Sequence, residues 1–123
     1  MRFGVYGCRH GHINDFIKEM LELGHEFLGI YETEPDIAKG LASKYNVPLF
    51  ADGMELLKLK PDILGTSAVN NRKIDVIELC NKEGIHIMVD KPIITSRKAC
   101  ERLEAIINEG RIQIGMMLTE RFN

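Results

Sequence analysis

The sequence has few cysteines, no long apolar run and no large excess of either charge, and each of these features argues against a class of protein. Its three cysteines, Cys8, Cys80 and Cys100, are odd in number and form no C-x-x-C pair, which favours reduced thiols in a cytoplasmic protein over a disulfide framework. No apolar stretch approaches the roughly 20 residues of a membrane span. The formal net charge of −2 argues against nucleic acid or an anionic membrane surface as the partner.

The chain also lacks any sign of a targeting segment, a linker or a repeat. It opens directly on a strand-like run, Met1 to Tyr6, with no apolar signal core and no small-residue cleavage site, so secretion is not expected. Its 45% apolar and 28% charged residues are typical of a soluble globular protein. At 123 residues we expect one domain, 1–123, with its own core.

Short β-branched runs alternate with amphipathic stretches along the whole chain. The predicted strands are 2–6, 26–31, 48–50, 62–66, 85–89 and 112–118, and the predicted helices are 12–23, 34–45, 53–59, 71–83 and 96–109. Three of the helices are followed by a glycine suited to the C′ position, Gly24, Gly84 and Gly110. Because strand–helix–strand crossovers are right-handed, this order predicts an α/β, doubly wound parallel sheet of about six strands with helices on both faces.

The first turn of such a sheet is where a Rossmann fold holds a dinucleotide. Here it reads Gly7-Cys8-Arg9-His10-Gly11-His12, and we predict that all six residues contact the cofactor. Gly7 permits a tight turn, and the following helix start offers free N–H groups to a pyrophosphate. The G-x-G-x-x-G pattern is broken, since Arg9 stands at its second glycine and His12 at its third. Arg9 either contacts phosphate through its side chain or fills the phosphate site and blocks it.

An acid at the end of the second predicted strand suggests the cofactor. Glu32 lies 25 residues after Gly7, close to the spacing of about 20 at which a carboxylate reaches the adenosine ribose. A carboxylate there accepts hydrogen bonds from ribose hydroxyls and repels a 2′-phosphate, which favours NAD over NADP. The alternative is a solvated loop acid beside Glu34 and Asp36 that serves the start of the second helix.

A second candidate site follows the fifth predicted strand. Asp90-Lys91-Pro92 comes directly after the apolar run 85–89, and Pro92 ends the strand because it cannot donate to a ladder. Ligands of open α/β sheets bind at the carboxyl ends of the strands. Asp90 and Lys91 are therefore candidates for chemistry, and the alternative is an ordinary strand exit with a solvated charge pair.

Metal binding is a further alternative for the first turn. Cys8, His10 and His12 form a C-x-H-x-H cluster whose thiolate and imidazoles suit zinc or copper. No fourth ligand is evident, however, and structural zinc sites follow a four-ligand spacing. The sequence therefore favours the dinucleotide loop and no metal.

With these residues in place, the chain resembles the nucleotide-binding domain of the Gfo/Idh/MocA oxidoreductases, the glucose-fructose oxidoreductase and inositol dehydrogenase group. The resemblance runs through the Gly7 turn, Glu32 and the segment Lys44 to Pro48. It is most specific at 84–92, which matches the family's Gly-x-x-Val-x-x-Glu-Lys-Pro with Asp90 in place of Glu.

The resemblance implies an NAD(P)-dependent oxidoreductase that transfers hydride between nicotinamide and a sugar, cyclitol or similar polyol. It implies that Lys91 stabilises the developing alkoxide or moves its proton, and that Asp90 orients Lys91 and a cofactor hydroxyl. It adds Ser67, Ala68 and Asn70, which follow the fourth strand, to the cofactor-binding residues.

Two departures from the family bear on function. After the fourth strand the family's Thr-Pro-Asn-x-x-His reads Ala68 to Lys73 here, so that Lys73 replaces the histidine. The end of the chain, Arg121-Phe122-Asn123, resembles the family's crossover into its substrate domain. We therefore expect this chain to be the cofactor domain of a longer enzyme and to be inactive on its own. A homo-oligomer is compatible with this expectation. The alternative is a non-catalytic module that senses a nucleotide or dimerises.

Overall fold

A computed structural model describes residues 1–8, 12–67, 70–89 and 96–116, apart from the side chains of His12, Pro35, 70–73 and Met116. Its strands are β1 (Arg2–Cys8), β2 (Glu26–Tyr31), β3 (Leu49–Phe50), β4 (Ile63–Ser67), β5 (His86–Val89) and β6 (Ile114–Met116). Its helices are α1 (His12–Glu22), α2 (Pro35–Tyr45), α3 (Gly53–Lys58), α4 (Asn70–Glu83) and α5 (Arg97–Glu109). All the predicted elements are present, with shifts of a few residues at their ends.

The helix ends follow from local sequence. Asp52 and Ser96 cap α3 and α5, accepting hydrogen bonds from the N–H groups of Met54 at 3.0 Å and Ala99 at 3.1 Å, as small polar residues do at helix starts. The glycines predicted to end helices take left-handed backbone, with φ of 86° at Gly24, 72° at Gly84 and 65° at Gly110. These positions favour glycine because it has no Cβ.

The six strands form one parallel sheet in the order β3-β2-β1-β4-β5-β6. This is the doubly wound order of the Rossmann fold, and it confirms the predicted fold class. The chain moves outward from β1 to β3 on one side, then returns to place β4 against the other side of β1. The strand order therefore reverses between β1 and β4.

The helices cover both faces of the sheet, and each face has its own core. One core lies under α1 and α2 and contains Phe3, Val5, Phe16, Ile17, Ile30 and Ala38. The other lies under α3, α4 and α5 and contains Leu56, Leu64, Ile77, Cys80, Ile87 and Ile106. Burial on both sides explains why the strands read as continuous apolar runs.

Strand β1 is longer than the sequence predicts. Gly7 and Cys8 belong to the strand and do not form the turn after it. Gly7 has a φ of 95°, and the ladder to β4 is irregular between Val5 and Cys8. The glycine thus absorbs a local irregularity inside the strand, and the strand carries Cys8 to the edge of the sheet.

Helix α1 packs closely on β4 because β4 has a glycine beneath it. A Cβ on Gly65 would lie 2.5 Å from the Phe16 ring, and Phe16 is buried. The ring takes the place that a side chain at position 65 would fill. None of the helices within the described ranges is long and apolar enough to cross a membrane.

Candidate functional site

Three of the predicted site residues meet where the strand order reverses. Cys8 ends β1 and Ser67 ends β4, and their Cα atoms are partners in the ladder between the two strands. Glu32 directly follows β2, the strand on the other side of β1. All three residues are buried. In open α/β sheets, this crevice beyond the carboxyl ends of the strands is where ligands bind.

The Glu32 carboxylate is held by donors at both oxygens. Oε1 accepts a hydrogen bond of 2.9 Å from the Cys8 backbone N–H. Oε2 accepts one of 3.1 Å from the Thr33 hydroxyl and one of 2.7 Å from the Glu34 backbone N–H. Buried carboxylates need such partners because loss of hydration is costly. The site therefore contains a fixed acidic acceptor.

The alternative for Glu32, a solvated loop acid that serves the start of α2, is wrong about the solvation. A solvated loop acid would be open to water, whereas Glu32 is only 4% exposed. Its carboxylate accepts the Glu34 N–H directly before α2, but it also bonds across to β1. Glu32 thus joins the end of β2 to the end of β1, and β1 is one of the two strands between which the order reverses.

Ser67 contacts the end of β1 from the other side. Its hydroxyl donates to the carbonyl oxygen of Gly7 over 3.4 Å, and Ser67 is fully buried. The predicted cofactor residues Gly7, Cys8, Glu32 and Ser67 therefore form one continuous cluster. The sequence placed Ser67 among the cofactor residues only through the family resemblance.

Two helices begin beside this cluster. α1 starts at His12, four residues after Cys8, and α4 starts at Asn70, three residues after Ser67. The first N–H groups of a helix have no partner within the helix, and its N-terminal end carries a partial positive charge. Pyrophosphate groups bind at such ends. The edge therefore combines an acidic acceptor with helix starts suited to an anion.

β5 ends at this edge as well. Its last residue, Val89, pairs with Thr66 of β4 and with Met116 of β6. Several predicted site residues lie outside the described residues, namely Arg9, His10, Gly11, Ala68, Asp90 and Lys91, and so do the side chains of His12 and Asn70. Their roles stay predictions.

The metal alternative for the first turn also falls on these residues, because it needs the side chains of His10 and His12. Among the side chains that the structure describes, no group of three or more His, Cys, Asp or Glu is arranged to hold a metal ion.

Thr33 is a site residue that the sequence does not indicate, because a threonine in a loop after a strand has no distinguishing pattern. The hydrogen bond from Thr33 to Glu32 forms because the Glu32 carboxylate folds back over its own chain, and the sequence alone does not show this conformation. The nearest available signal is the position itself, since Ser and Thr hydroxyls in turns often form local hydrogen bonds.

A cavity of about 530 Å³ lies at the opposite edge of the sheet. It is lined by residues near the starts of β4 and β5, including Lys58, Lys60, Asp62, Glu83 and His86. The amino-terminal edge is not where ligands of this fold bind. The cavity is therefore separate from the cluster at Cys8, Glu32 and Ser67.

Comparison with protein families matches residues 1–116 to the Gfo/Idh/MocA family, described as an oxidoreductase family with an NAD-binding Rossmann fold. The chain belongs to this family. The resemblance read from the Gly7 turn, Glu32 and the segment 84–92 is thereby confirmed. The strand order of this Gfo/Idh/MocA chain is also the order expected of that fold.

Solved structures share the fold of this Gfo/Idh/MocA domain. A proposed oxidoreductase from Erwinia carotovora atroseptica aligns with a TM-score of 0.91 at 20% identity, over 98% of this chain and 37% of its own. The WlbA dehydrogenase from Bordetella pertussis, in complex with NADH and UDP-GlcNAcA, gives 0.81 at 18% identity, over 94% of this chain and 34% of its own.

A third structure is the UDP-N-acetylglucosamine 3-dehydrogenase GnnA from Acidithiobacillus ferrooxidans, with a TM-score of 0.77 at 18% identity, over 95% of this chain and 36% of its own. The chain thus spans little more than a third of the length of these proteins. Comparison with curated proteins gives no match.

Proposed function

We propose that this chain is the NAD-binding part of a dehydrogenase that oxidises or reduces a hydroxyl-bearing carbon of a sugar, cyclitol or similar polyol. The observation that carries the proposal is the buried Glu32 carboxylate, held at the point where the strand order reverses. The chain belongs to a family of NAD-binding oxidoreductases. In Rossmann folds, an acid at this position accepts a hydrogen bond from the adenosine ribose. The sugar-nucleotide dehydrogenases among the similar structures support a sugar derivative as substrate.

The described residues fit a dinucleotide. Glu32 would accept hydrogen bonds from ribose hydroxyls, and its charge would oppose a 2′-phosphate, so that NAD is preferred to NADP. The end of β1 and the start of α1 would receive the pyrophosphate. The cofactor, when bound, supplies the hydride acceptor as NAD or the hydride donor as NADH.

Asp90 and Lys91 would serve the substrate. In the proposed enzyme, the Lys91 ammonium stabilises the alkoxide that develops on the substrate oxygen or moves its proton, and Asp90 orients Lys91. Both residues follow β5, whose last residue pairs with β4 at the edge that holds Ser67. Lys91→Ala in a complete enzyme should lower turnover far more than NAD affinity, and unchanged turnover would remove Lys91 from the mechanism.

The rest of the enzyme is also a proposal. Since similar structures are nearly three times as long, we propose that a second domain supplies most of the substrate site. We further propose that the enzyme is cytoplasmic, in keeping with three free cysteines.

Calorimetric titration of the chain with NADH and NADPH tests the cofactor assignment. We expect NADH to bind more tightly than NADPH, and Glu32→Ala to lose that preference. Glu32→Asp retains the negative charge and covers the case in which Glu32→Ala does not fold. The matched control is Glu22→Ala, which removes an exposed acid on α1. Absence of binding at millimolar NADH would overturn the assignment and make the non-catalytic module the leading account.

A further inference from the structure

The three described donors to the Glu32 carboxylate differ in kind. Two are backbone N–H groups, from Cys8 and Glu34, which a substitution at those positions leaves in place. The third is the side-chain hydroxyl of Thr33, at 3.1 Å from Oε2. Of these three bonds, the one from Thr33 is the bond that a change of side chain can alter.

We propose that Thr33 is a specificity-determining positioning residue of the cofactor site, acting through Glu32. The inference rests on the proposed function, because it assigns Thr33 a part in choosing between NAD and NADP. The Thr33 hydroxyl helps to hold the carboxylate in the orientation in which Oε2 also receives the Glu34 N–H. The negative charge is thereby fixed at the end of β2, where the ribose is expected.

The same bond withholds a donor from NADP. A hydroxyl has a single proton, and while that proton is directed at Oε2 it is not directed at a 2′-phosphate oxygen. Thr33 therefore favours NAD in two ways, since it orders the repelling carboxylate and does not offer a hydrogen bond to the phosphate.

The position of Thr33 separates this role from a structural one. Thr33 is exposed, so valine, which has nearly the same shape, can replace it without disturbing the core. Serine keeps the hydroxyl and removes only the methyl group. The pair Thr33→Val and Thr33→Ser therefore isolates the hydrogen bond from the size of the side chain.

The dissociation constants of NADH and NADPH, measured by calorimetry on the full chain, test the proposal. A hydrogen bond to a charged group is worth enough that Thr33→Val should reduce the preference for NADH over NADPH by about threefold or more, with Thr33→Ser close to the unmodified chain. In the Glu32→Ala background, Thr33→Val should have little further effect on that preference, because Thr33 acts through the carboxylate.

The outcomes distinguish this proposal from the proposed function. If the unmodified chain binds NADH and Thr33→Val leaves the NADH to NADPH preference unchanged, the role of Thr33 is overturned and the cofactor assignment stands. An equal loss of preference in Thr33→Ser and Thr33→Val also overturns it, since the hydroxyl would then be irrelevant. Failure of the unmodified chain to bind NADH removes both.

Discussion

The backbone N–H of Cys8 donates a hydrogen bond of 2.9 Å to Oε1 of Glu32, although the two residues lie 24 positions apart. The bond fastens the end of β1 to the end of β2. Cys8, the second residue of the predicted phosphate-binding turn, and Glu32, the predicted ribose acid, are therefore parts of one hydrogen-bonded unit. A substitution at the end of β1 or at Glu32 should therefore perturb the other.

Glu32→Gln should destabilise the fold as well as weaken NADH binding. The substitution replaces one acceptor oxygen by an NH2 group, which would face N–H or O–H donors at a buried position. Leaving such donors without an acceptor costs about 1–3 kcal/mol. Urea unfolding measures the change, and Glu22→Gln, on the exposed surface of α1, should change stability little. Equal stability of the two variants would show that the carboxylate does not hold the strand ends together.

Two glycine-to-alanine substitutions should change the stability of the fold in opposite directions. The Cβ of Gly65→Ala would lie 2.5 Å from Phe16, and overpacking of this kind costs about 1–3 kcal/mol. Gly40 lies in α2 and has no atom within 4 Å of its added Cβ, so Gly40→Ala should stabilise the protein by roughly 0.5–1 kcal/mol. Thermal or urea unfolding compares them, and Phe16→Leu should recover part of the loss in Gly65→Ala. A neutral Gly65→Ala would mean that α1 does not depend on this close approach.

Alkaline pH should destabilise the fold through Cys80. Burial raises the pKa of this thiol from 9.0 to about 12, so between these values the unfolded chain releases a proton that the folded chain retains. The contribution is fully present below pH 9 and is lost as pH rises, by about 1.4 kcal/mol per pH unit. Cys80→Ala should lose stability less steeply between pH 9 and 10.5.

Urea unfolding at a series of pH values measures how steeply stability falls with pH. Cys100→Ala is the control, and its stability should fall as steeply as that of the unmodified chain. Burial also raises the pKa of Tyr6 above its usual 10.0, which adds a further loss at higher pH in all of these proteins. Parallel slopes in the unmodified chain and Cys80→Ala would contradict the role of the thiol.

The three free cysteines should differ sharply in reactivity. Cys100 is exposed, whereas Cys8 and Cys80 are buried. A disulfide reagent at neutral pH should therefore label one thiol rapidly in the folded chain and all of them in urea, since labelling requires an accessible thiolate. Cys100→Ser should abolish the rapid phase. Rapid labelling that survives this substitution would show that Cys8 or Cys80 is open to solvent.

Most of the fold could be predicted from local sequence patterns. The strands, helices and C′ glycines were predicted because burial on both faces leaves continuous apolar runs in strands, and amphipathic periods lie between them. Glu32 was found because its position directly follows a strand. The neighbourhood of Glu32 was not predictable, because it depends on how β1 and β2 are aligned in the sheet.

The extra length of β1 shows the same limit. A glycine after an apolar run is most simply interpreted as a turn, yet Gly7 lies within the strand because Cys8 still pairs with Ser67. That pairing joins residues far apart in the chain, and no local pattern records it. The close approach of Phe16 to Gly65 escaped prediction for the same reason.

The strand order also has a consequence for how the protein folds. Every pair of neighbouring strands in the described sheet is consecutive in the chain except β1 and β4, whose residues Phe3 and Ile63 are partners. Each half of the sheet can assemble from nearby segments, whereas the seam between the halves must wait for a long loop to close. Cys8 and Ser67 lie on opposite sides of that seam. The candidate site is therefore completed only when the two halves join.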